Sequence, residues 1–119
     1  MLSKSLKQIK AFEAGDKTMI RELLHPKNDD ISLAYSLAHA SLPEGTSSLP
    51  HLLRGSEVYY LLEGQGRMHI DGETKDLREG DFVYIPPGAH QHIENIGKGE
   101  LRFLCIVAPA WSEEEEEVF

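Results

Sequence analysis

Turn-forming residues divide this chain into short runs, and that division limits the folds open to it more than any other feature of the sequence. No long stretch keeps apolar residues at the spacing of an amphipathic helix. Short apolar runs between Gly, Pro, Asp and Asn instead predict strands. The runs predicted as strands are residues 18–24, 31–42, 57–62, 66–71, 73–77, 82–85, 91–96 and 100–107. An all-β, antiparallel sandwich or barrel is the expected fold class.

Two of these regions carry more detailed predictions. Asp71-Gly72 predicts a type I′ hairpin, because both central residues of that turn need a positive φ. Residues 31–42 alternate between bulky and small side chains, with Tyr35, Leu37 and His39 on the same side. A period of two with bulky residues on one side predicts a half-buried strand over the whole run.

Two glycine-framed segments with regular internal spacing follow in the chain. The first contains Gly45, His51, Leu53, Glu57 and Gly64, and the second contains Gly80, Pro86, Gly88, Gln91 and Asn95. Fifteen residues, 65–79, separate the two segments. Pro86 and Pro87 remove two backbone donors and fix φ, so they predict a rigid corner that orients the strand carrying Gln91.

The spacing of these segments resembles the paired signature motifs of the cupin family, G-x5-H-x-H-x3-E-x6-G and G-x5-P-x-G-x2-H-x3-N. The resemblance covers residues 45–95 by motif and about 18–109 by strand pattern. It implies a single-domain, double-sheet jelly-roll β-barrel. Residues 1–17 would then form an N-terminal extension, 18–109 the barrel and 110–119 an acidic C-terminal tail.

In the cupin family the three histidines and the glutamate of these motifs hold a divalent metal. His51 and Glu57 occupy two of those positions here, whereas Leu53 and Gln91 replace the other two histidines. The resemblance therefore implies a reduced metal site at His51, Glu57 and Gln91, with Mn, Fe, Ni or Zn as candidate ions. Leu53 has no donor atom, and Gln91 offers one neutral amide oxygen. Three protein ligands leave open positions for water or substrate.

Strand alternation predicts which way the side chains of most of the remaining histidines point. In the cupin register Gln91 points into the barrel while His90 and His92 point outward, and a slip of one residue would reverse this assignment. The face of the strand that carries His39 is not assigned by the sequence. His39, His90 and His92 therefore stay open as substitutes for the missing ligands, and His69 is expected to face solvent.

Two residues near the predicted site have structural interpretations. Tyr59 is expected to pack as an aromatic side chain, with hydrogen bonding or proton donation into the cavity as the alternative. Cys105 lies on the same face of its run as Phe103 and is expected to be a buried small hydrophobe. A single cysteine excludes an internal disulfide and suits a reducing compartment.

The charge of the chain is concentrated at one end. Its formal net charge is −8, and the glutamates at 113–117 supply five of the negative charges. Such a run predicts a solvated, disordered end. The chain has no basic cluster suited to nucleic acid, no run of the ~20 apolar residues that span a bilayer and no apolar signal segment. These features predict a cytoplasmic protein without nucleic-acid or membrane partners, and the family resemblance implies a homodimer.

The sequence leaves the function open between classes, and it does not decide whether the protein is an enzyme. One candidate is a cupin that binds a divalent metal and a small polar ligand within the barrel, with the reaction unassigned. The other is a metal-free module that binds or senses a sugar or a carboxylate, which the apolar Leu53 beside the former metal position favours. A structural or partner-binding role for the acidic tail is a third interpretation.

Overall fold

The computed structural model describes all 119 residues and consists of strands joined by short turns. The strands are β1 (Phe12–Glu13), β2 (Met19–Leu24), β3 (Ser36–Leu42), β4 (His51–Leu53), β5 (Ser56–Glu63), β6 (Gln65–Ile70), β7 (Glu73–Arg78), β8 (Phe82–Ile85), β9 (Gln91–Asn95), β10 (Leu101–Ala108) and β11 (Glu116–Val118). Short 3-10 turns lie at Leu6–Gln8 and Glu113–Glu115. No helix has both the length and the apolar character needed to cross a membrane.

The strands form two sheets that face each other. One sheet has six strands in the order β1-β2-β3-β10-β5-β8, and the other has five in the order β11-β4-β9-β6-β7. The strands pair antiparallel, including pairs that are distant in the chain, such as β3 with β10. This arrangement confirms the all-β jelly roll. The two sheets stay separate as a sandwich and do not close into one continuous barrel.

The core is a cluster of 12 buried residues between the sheets. Alternation along β10 shows how it is built, because Leu101, Phe103, Cys105 and Val107 are buried and the residues between them are not. Cys105 is a free, buried thiol, as predicted. The ring of Tyr59 packs against that of Phe103, with centroids 4.6 Å apart.

Strand β3 differs from the prediction made for residues 31–42. It begins at Ser36 rather than Ile31, because a hydrogen-bonded turn precedes it. Its inward side carries the small residues Ser36, Ala38 and Ala40, which line a cavity between the sheets, and ends with Leu42 in the core. The bulky alternate positions, including His39, lie on the outer side. Alternation in the sequence revealed the period of this strand, but the smaller face is the one that turns inward.

Two turns position the strands around that cavity. Asp71-Gly72 has φ values of 47° and 84°, which confirms the predicted hairpin between β6 and β7. At the corner after β8, Gly88 has a φ of 76° and donates its N–H to the Leu53 carbonyl at 2.7 Å. This bond joins the corner to β4, and Gln91 on β9 then lies opposite His51.

The acidic C-terminal run is ordered, and the prediction of a disordered end is wrong. Strand β11 pairs with β4, and the Arg54 N–H donates to the Glu115 carbonyl at 3.0 Å. Glu117 is exposed, whereas Glu116 is partly buried and accepts a hydrogen bond from the ring N–H of Trp111 at 2.7 Å. Backbone pairing and this contact offset the mutual repulsion of the glutamates.

Candidate functional site

A partly open cavity of about 170 Å³ lies between the two sheets. Twenty residues line it, and 11 of them are hydrophobic, so the polar groups are few and distinct. The acidic residues in the lining are Glu13, Asp16, Glu22, Glu57 and Glu116, and the one histidine is His51. No Lys or Arg is among the lining residues. The lining is therefore acidic, and among its acidic residues the exposed Glu13 pairs with Lys17 at 3.7 Å.

His51, on β4, has one ring nitrogen committed to the backbone. Its Nδ1 lies 2.8 Å from the Leu49 carbonyl oxygen. Because a carbonyl oxygen can only accept, Nδ1 carries the hydrogen of this bond and Nε2 is left for another partner. Nε2 lies 3.5 Å from Oδ2 of Asp16, and both side chains are more than nine-tenths buried.

Asp16 is a site residue that the sequence analysis missed. It lies between β1 and β2, in the segment predicted as an N-terminal extension. Its Oδ1 accepts hydrogen bonds from the N–H and the hydroxyl of Thr18, at 3.1 and 2.6 Å, and its carbonyl accepts from the Leu49 N–H at 2.7 Å. These bonds hold Oδ2 toward His51. The Asp-x-Thr spacing is a local turn signal, but nothing in the sequence links it to residue 51.

Glu57, Gln91 and Tyr59 form a buried hydrogen-bonded chain. The Tyr59 hydroxyl donates to Gln91 Oε1 at 3.0 Å, and Gln91 Nε2 donates to Glu57 Oε1 at 2.9 Å. Glu57 and Tyr59 line the cavity, whereas Gln91 is 1% exposed and lies behind them. Both ends of the Gln91 amide are engaged, so it fixes the carboxyl of Glu57. Tyr59 thus combines aromatic packing with a hydrogen bond.

The family resemblance of the sequence predicts His51, Glu57 and Gln91 as one metal-binding set. The structure brings these residues into one region, since His51 and Gln91 lie opposite each other on paired strands and Gln91 bonds to Glu57. Leu53 lines the same cavity at the position of the missing family histidine. As ligands, the three residues stay a prediction.

Burial controls the protonation of Glu57. Loss of solvation raises its pKa from an ordinary 4.5 to about 8, and the hydrogen bond from Gln91 offsets only part of this rise. The nearby charges of Asp16 and Glu116 raise the pKa further. Without a cation beside it, the Glu57 carboxyl is therefore mostly protonated at neutral pH.

The C-terminal segment covers part of the cavity. Trp111 and Glu116 both line it and are joined by the hydrogen bond from the Trp111 ring. The Trp111 backbone is held at both ends, because its N–H donates to the Ser36 hydroxyl at 2.9 Å and its carbonyl accepts from His25 Nε2 at 2.7 Å. His25 Nδ1 accepts from the Lys27 N–H, which leaves the ring hydrogen on Nε2. The acidic tail therefore contributes side chains to the site.

The three alternative histidines do not reach the cavity. His39 lies on the outer side of β3, where Arg102 Nε donates to its Nε2 at 3.2 Å. Burial, followed by the charge of Arg102, lowers the pKa of His39. His90 is exposed and stacks on Phe119, with ring centroids 4.5 Å apart. His92 points outward on β9, as predicted.

A group of possible metal ligands lies on the outer face of the five-stranded sheet. Donor atoms of His69, His92 and Glu94 all lie within 4.8 Å of one another. The rings of His69 and His92 stack with centroids 4.1 Å apart. Burial lowers the pKa of His92, and the neighbouring His69 lowers it further. Strand alternation in the sequence predicts that both histidines face outward, but it does not bring them together, because the pairing of β6 with β9 arises only in the folded sheet.

Comparisons with known proteins agree with this architecture. Residues 38–107 match the family described as "Cupin domain". The chain is 42% identical over 112 residues to the uncharacterized protein MJ1618 of Methanocaldococcus jannaschii, an alignment that covers 93% of this chain and 89% of that protein. It is 33% identical over 88 residues to the oxalate-binding protein of Thermotoga maritima, which covers 73% and 68% of the two chains.

Solved structures show the same fold. The crystal structure of a predicted oxalate decarboxylase from Thermotoga maritima superposes with a TM-score of 0.79 at 23% identity. The superposition covers 91% of this chain and 99% of that one. The two glycine-framed motifs, the two-sheet topology and the matched relatives all lead to one conclusion: the chain belongs to the cupin family.

Proposed function

We propose that this cupin binds a divalent metal ion together with a small polar molecule in the cavity between its sheets. The observation that carries the proposal is the charge of the lining, which has five acidic residues, one histidine and no Lys or Arg. Of these acidic residues, Asp16 and Glu57 are buried, and negative charge on buried carboxylates is costly unless a cation compensates it. A divalent cation would supply that compensation. The ligands that we assign to the metal are Asp16, His51 and Glu57.

The surroundings of His51 fit a metal ligand. A metal-ligating histidine generally donates its other ring N–H to a carbonyl or a carboxylate. His51 does so through Nδ1 and the Leu49 carbonyl. The 3.5 Å between its Nε2 and Asp16 Oδ2 is long for a hydrogen bond, but it is close to the ~3.4 Å between two ligands of a tetrahedral ion with bonds of ~2.1 Å. This distance supports a cation shared by the two side chains.

In this proposal Gln91 positions a ligand, whereas the family pattern implies that it is one. Its Nε2 donates to Glu57, and its Oε1 accepts from Tyr59. These bonds hold the Glu57 carboxyl at the cavity wall. A cation at Glu57 would take the place of the proton that burial keeps there. Asp16 then supplies the third ligand that the sequence analysis assigned to Gln91.

A bound cation would also make the cavity suitable for a small anion. The lining offers an anion no protein cation, so the metal would supply the positive charge and polarise the carboxylate or carbonyl oxygens that it contacts. One relative of this chain is named an oxalate-binding protein. A molecule as small as oxalate would fit in a cavity of about 170 Å³. We therefore infer a small carboxylate as the ligand class, without assigning a reaction.

Metal-free binding of a small polar molecule is the second candidate, and the protonation of Glu57 favours it. With a pKa of about 8, the carboxyl is mostly neutral at pH 7 and can donate a hydrogen bond to a ligand oxygen. The apolar Leu53 in the lining fits the same candidate. The two candidates differ in their response to a chelator. If binding depends on the metal, the protein no longer binds the small molecule after the metal is removed, whereas metal-free binding is unaffected.

Elemental analysis of protein purified without chelator tests the first proposal. His51→Gln and Asp16→Asn are each expected to contain one divalent ion fewer per chain than the wild type, since each loses a ligand. His90→Gln is the matched control, because it makes the same substitution at an exposed histidine outside the cavity. Equal metal content in the wild type and in folded His51→Gln protein would contradict the proposal.

The same site can be tested by a gain of affinity. Leu53→His places a histidine at the family position beside His51. We expect it to raise the affinity for Zn²⁺ by at least about 10-fold, which is the smallest change usually seen when a residue that supports a metal ligand is lost. Leu52→His is the control, since alternation places residue 52 on the opposite face of β4. Equal gains from both variants in calorimetric titrations would count against a metal at this position.

A further inference from the structure

A second group of possible ligands lies outside the cavity, and we call His69, His92 and Glu94 the outer cluster. Strands β6 and β9 pair with His69 opposite His92 and with Arg67 opposite Glu94. The three side chains of the outer cluster therefore project from the same face of the sheet. Their donor atoms lie within 4.8 Å of one another. The register of two strands is enough to bring these groups together.

One nitrogen of the outer cluster is shielded and has no hydrogen-bond partner. Nε2 of His69 is inaccessible to solvent and makes no hydrogen bond. It lies 3.4 Å from Glu94 Oε1, while Nδ1 of the same ring lies 3.3 Å from the Thr74 hydroxyl. A shielded polar atom without a partner is unfavourable, and buried polar groups in proteins are generally paired. A ligand at Nε2 would satisfy this atom.

Glu94 has no arginine or lysine partner of its own. Arg67 lies opposite it on β6, but the Arg67 guanidinium donates hydrogen bonds to Asp76 at 2.8 and 3.2 Å. The guanidinium is therefore engaged on the side away from β9. Glu94 faces the imidazole of His69 instead, so a carboxylate and two imidazoles share one small volume.

We propose that the outer cluster binds a divalent transition-metal ion, with His69, His92 and Glu94 as its protein ligands. Two histidines and a glutamate are a ligand set with which zinc keeps an open position for water. Imidazole suits zinc, copper and nickel, whereas calcium and magnesium prefer oxygen ligands alone. The proposal is independent of the interior site, because the outer cluster lies on the opposite face of the sheet from His51.

Side-chain rotation is the only movement that this proposal needs. The two rings stack at an interplanar angle of 9°, so their nitrogen lone pairs run side by side instead of converging. Rotation about the Cβ–Cγ bond of histidine is soft, because this torsion has broad minima. The backbone positions are already fixed by the β6–β9 register. Ion binding would thus replace the stacked pair with a converging one.

Zinc titration of His51→Gln protein separates the outer cluster from the interior site. We expect calorimetry to show one zinc ion per chain. Adding His92→Gln should weaken zinc binding by at least about 10–100-fold, because losing even a residue that hydrogen-bonds to a metal ligand has an effect of this size. Zinc should also shift the ¹⁵N resonances of the His69 and His92 rings. If His51→Gln does not fold, the same comparison in the wild type should show that His92→Gln removes one zinc ion.

The control for this experiment is His90→Gln, a change at an exposed histidine that stacks on Phe119 and lies outside the outer cluster. It should leave the zinc affinity unchanged. Glu94→Gln keeps both imidazoles and should weaken zinc binding by a smaller factor than His92→Gln. Equal zinc affinities in the His92→Gln and His90→Gln proteins, or ring resonances that zinc does not shift, would overturn the proposal.

Discussion

At the scale of single residues, Glu57 connects the burial of the site with its chemistry. Its carboxyl lines the cavity, accepts a hydrogen bond from Gln91 and has a pKa raised to about 8 by burial. A proton and a metal ion are alternative ways to neutralise such a carboxylate, and each excludes the other. Both the stability of the protein and its affinity for metal should therefore depend on pH.

Glu57→Gln is expected to remove a pH dependence of folding. The carboxyl titrates near 4.5 when unfolded and near 8 when folded, so unfolding releases a proton between these values. The contribution of Glu57 to the free energy of unfolding should be largest below about pH 4.5 and should fall as the pH rises to about 8, by at most ~1.4 kcal/mol per pH unit. Urea unfolding with chelator present, at several pH values, measures this decline.

Glu13→Gln is the control for that measurement, because Glu13 is an exposed acidic residue of the same lining. It should keep the decline that Glu57→Gln removes. The same slope in the Glu57→Gln protein and in the wild type would contradict a raised pKa at residue 57. Saturating divalent metal should flatten the wild-type curve, since the metal displaces the proton before unfolding begins.

The ligand positions could be predicted only where they belong to a local motif. His51 and Glu57 stand at fixed spacing inside one glycine-framed segment, so the sequence identified them as candidates. Asp16 lies far from that segment in the chain, and only the folding of the β1–β2 turn brings it to His51. The role of Gln91 was similarly hidden, because its two hydrogen-bond partners come from β5.

At the scale of elements, β11 and the residues before it cover one side of the cavity. Strand β11 pairs with β4, the strand that carries His51, and it is preceded by Trp111, which lines the cavity. The cavity therefore draws its lining from all three predicted segments, the extension, the barrel and the tail. Residues of 1–17 and of 110–119 both contribute to the cavity.

Deleting residues 112–119 is expected to loosen β4 and open the cavity. The deletion removes the Glu115 carbonyl that accepts from the Arg54 N–H, and it removes the partner of the Trp111 ring. Hydrogen exchange should become faster at the Arg54 amide, and bound metal should dissociate faster. The double variant Glu113→Gln/Glu114→Gln is the control, since it removes exposed charges without removing the strand. Unchanged exchange at Arg54 after the deletion would mean that β11 does not support β4.

Most strands could be predicted because turn-forming residues stand at their ends. Asp71-Gly72 and the Pro86-Pro87-Gly88 corner fix reversals through backbone conformations that few other residues allow. The start of β3 could not be predicted, because alternation continues into the preceding turn. Strand β11 was missed for the opposite reason: like charges indicate repulsion, and the strand that pairs with it lies far away in the sequence.

At the scale of the whole molecule, the overall charge and the cavity charge have the same sign. The chain has a formal net charge of −8, and its cavity lining has five acidic residues and no basic one. Such a field attracts cations and repels anions. In the metal-dependent proposal, the metal ion would therefore bind before an anionic ligand. The expected homodimer and the cytoplasmic location stay predictions.

Oxalate is expected to stabilise the protein only when the interior metal is present. A ligand that binds only the folded state at 100 times its Kd adds about 2.7 kcal/mol to the free energy of unfolding, which calorimetry detects as a rise in Tm. We expect this rise in metal-loaded protein freed of excess metal, and no rise after chelator treatment. His51→Gln should lose the oxalate effect, whereas His92→Gln should keep it, because the outer cluster lies across the sheet from the cavity. An equal rise in Tm with chelator present would instead favour metal-free binding through the protonated carboxyl of Glu57.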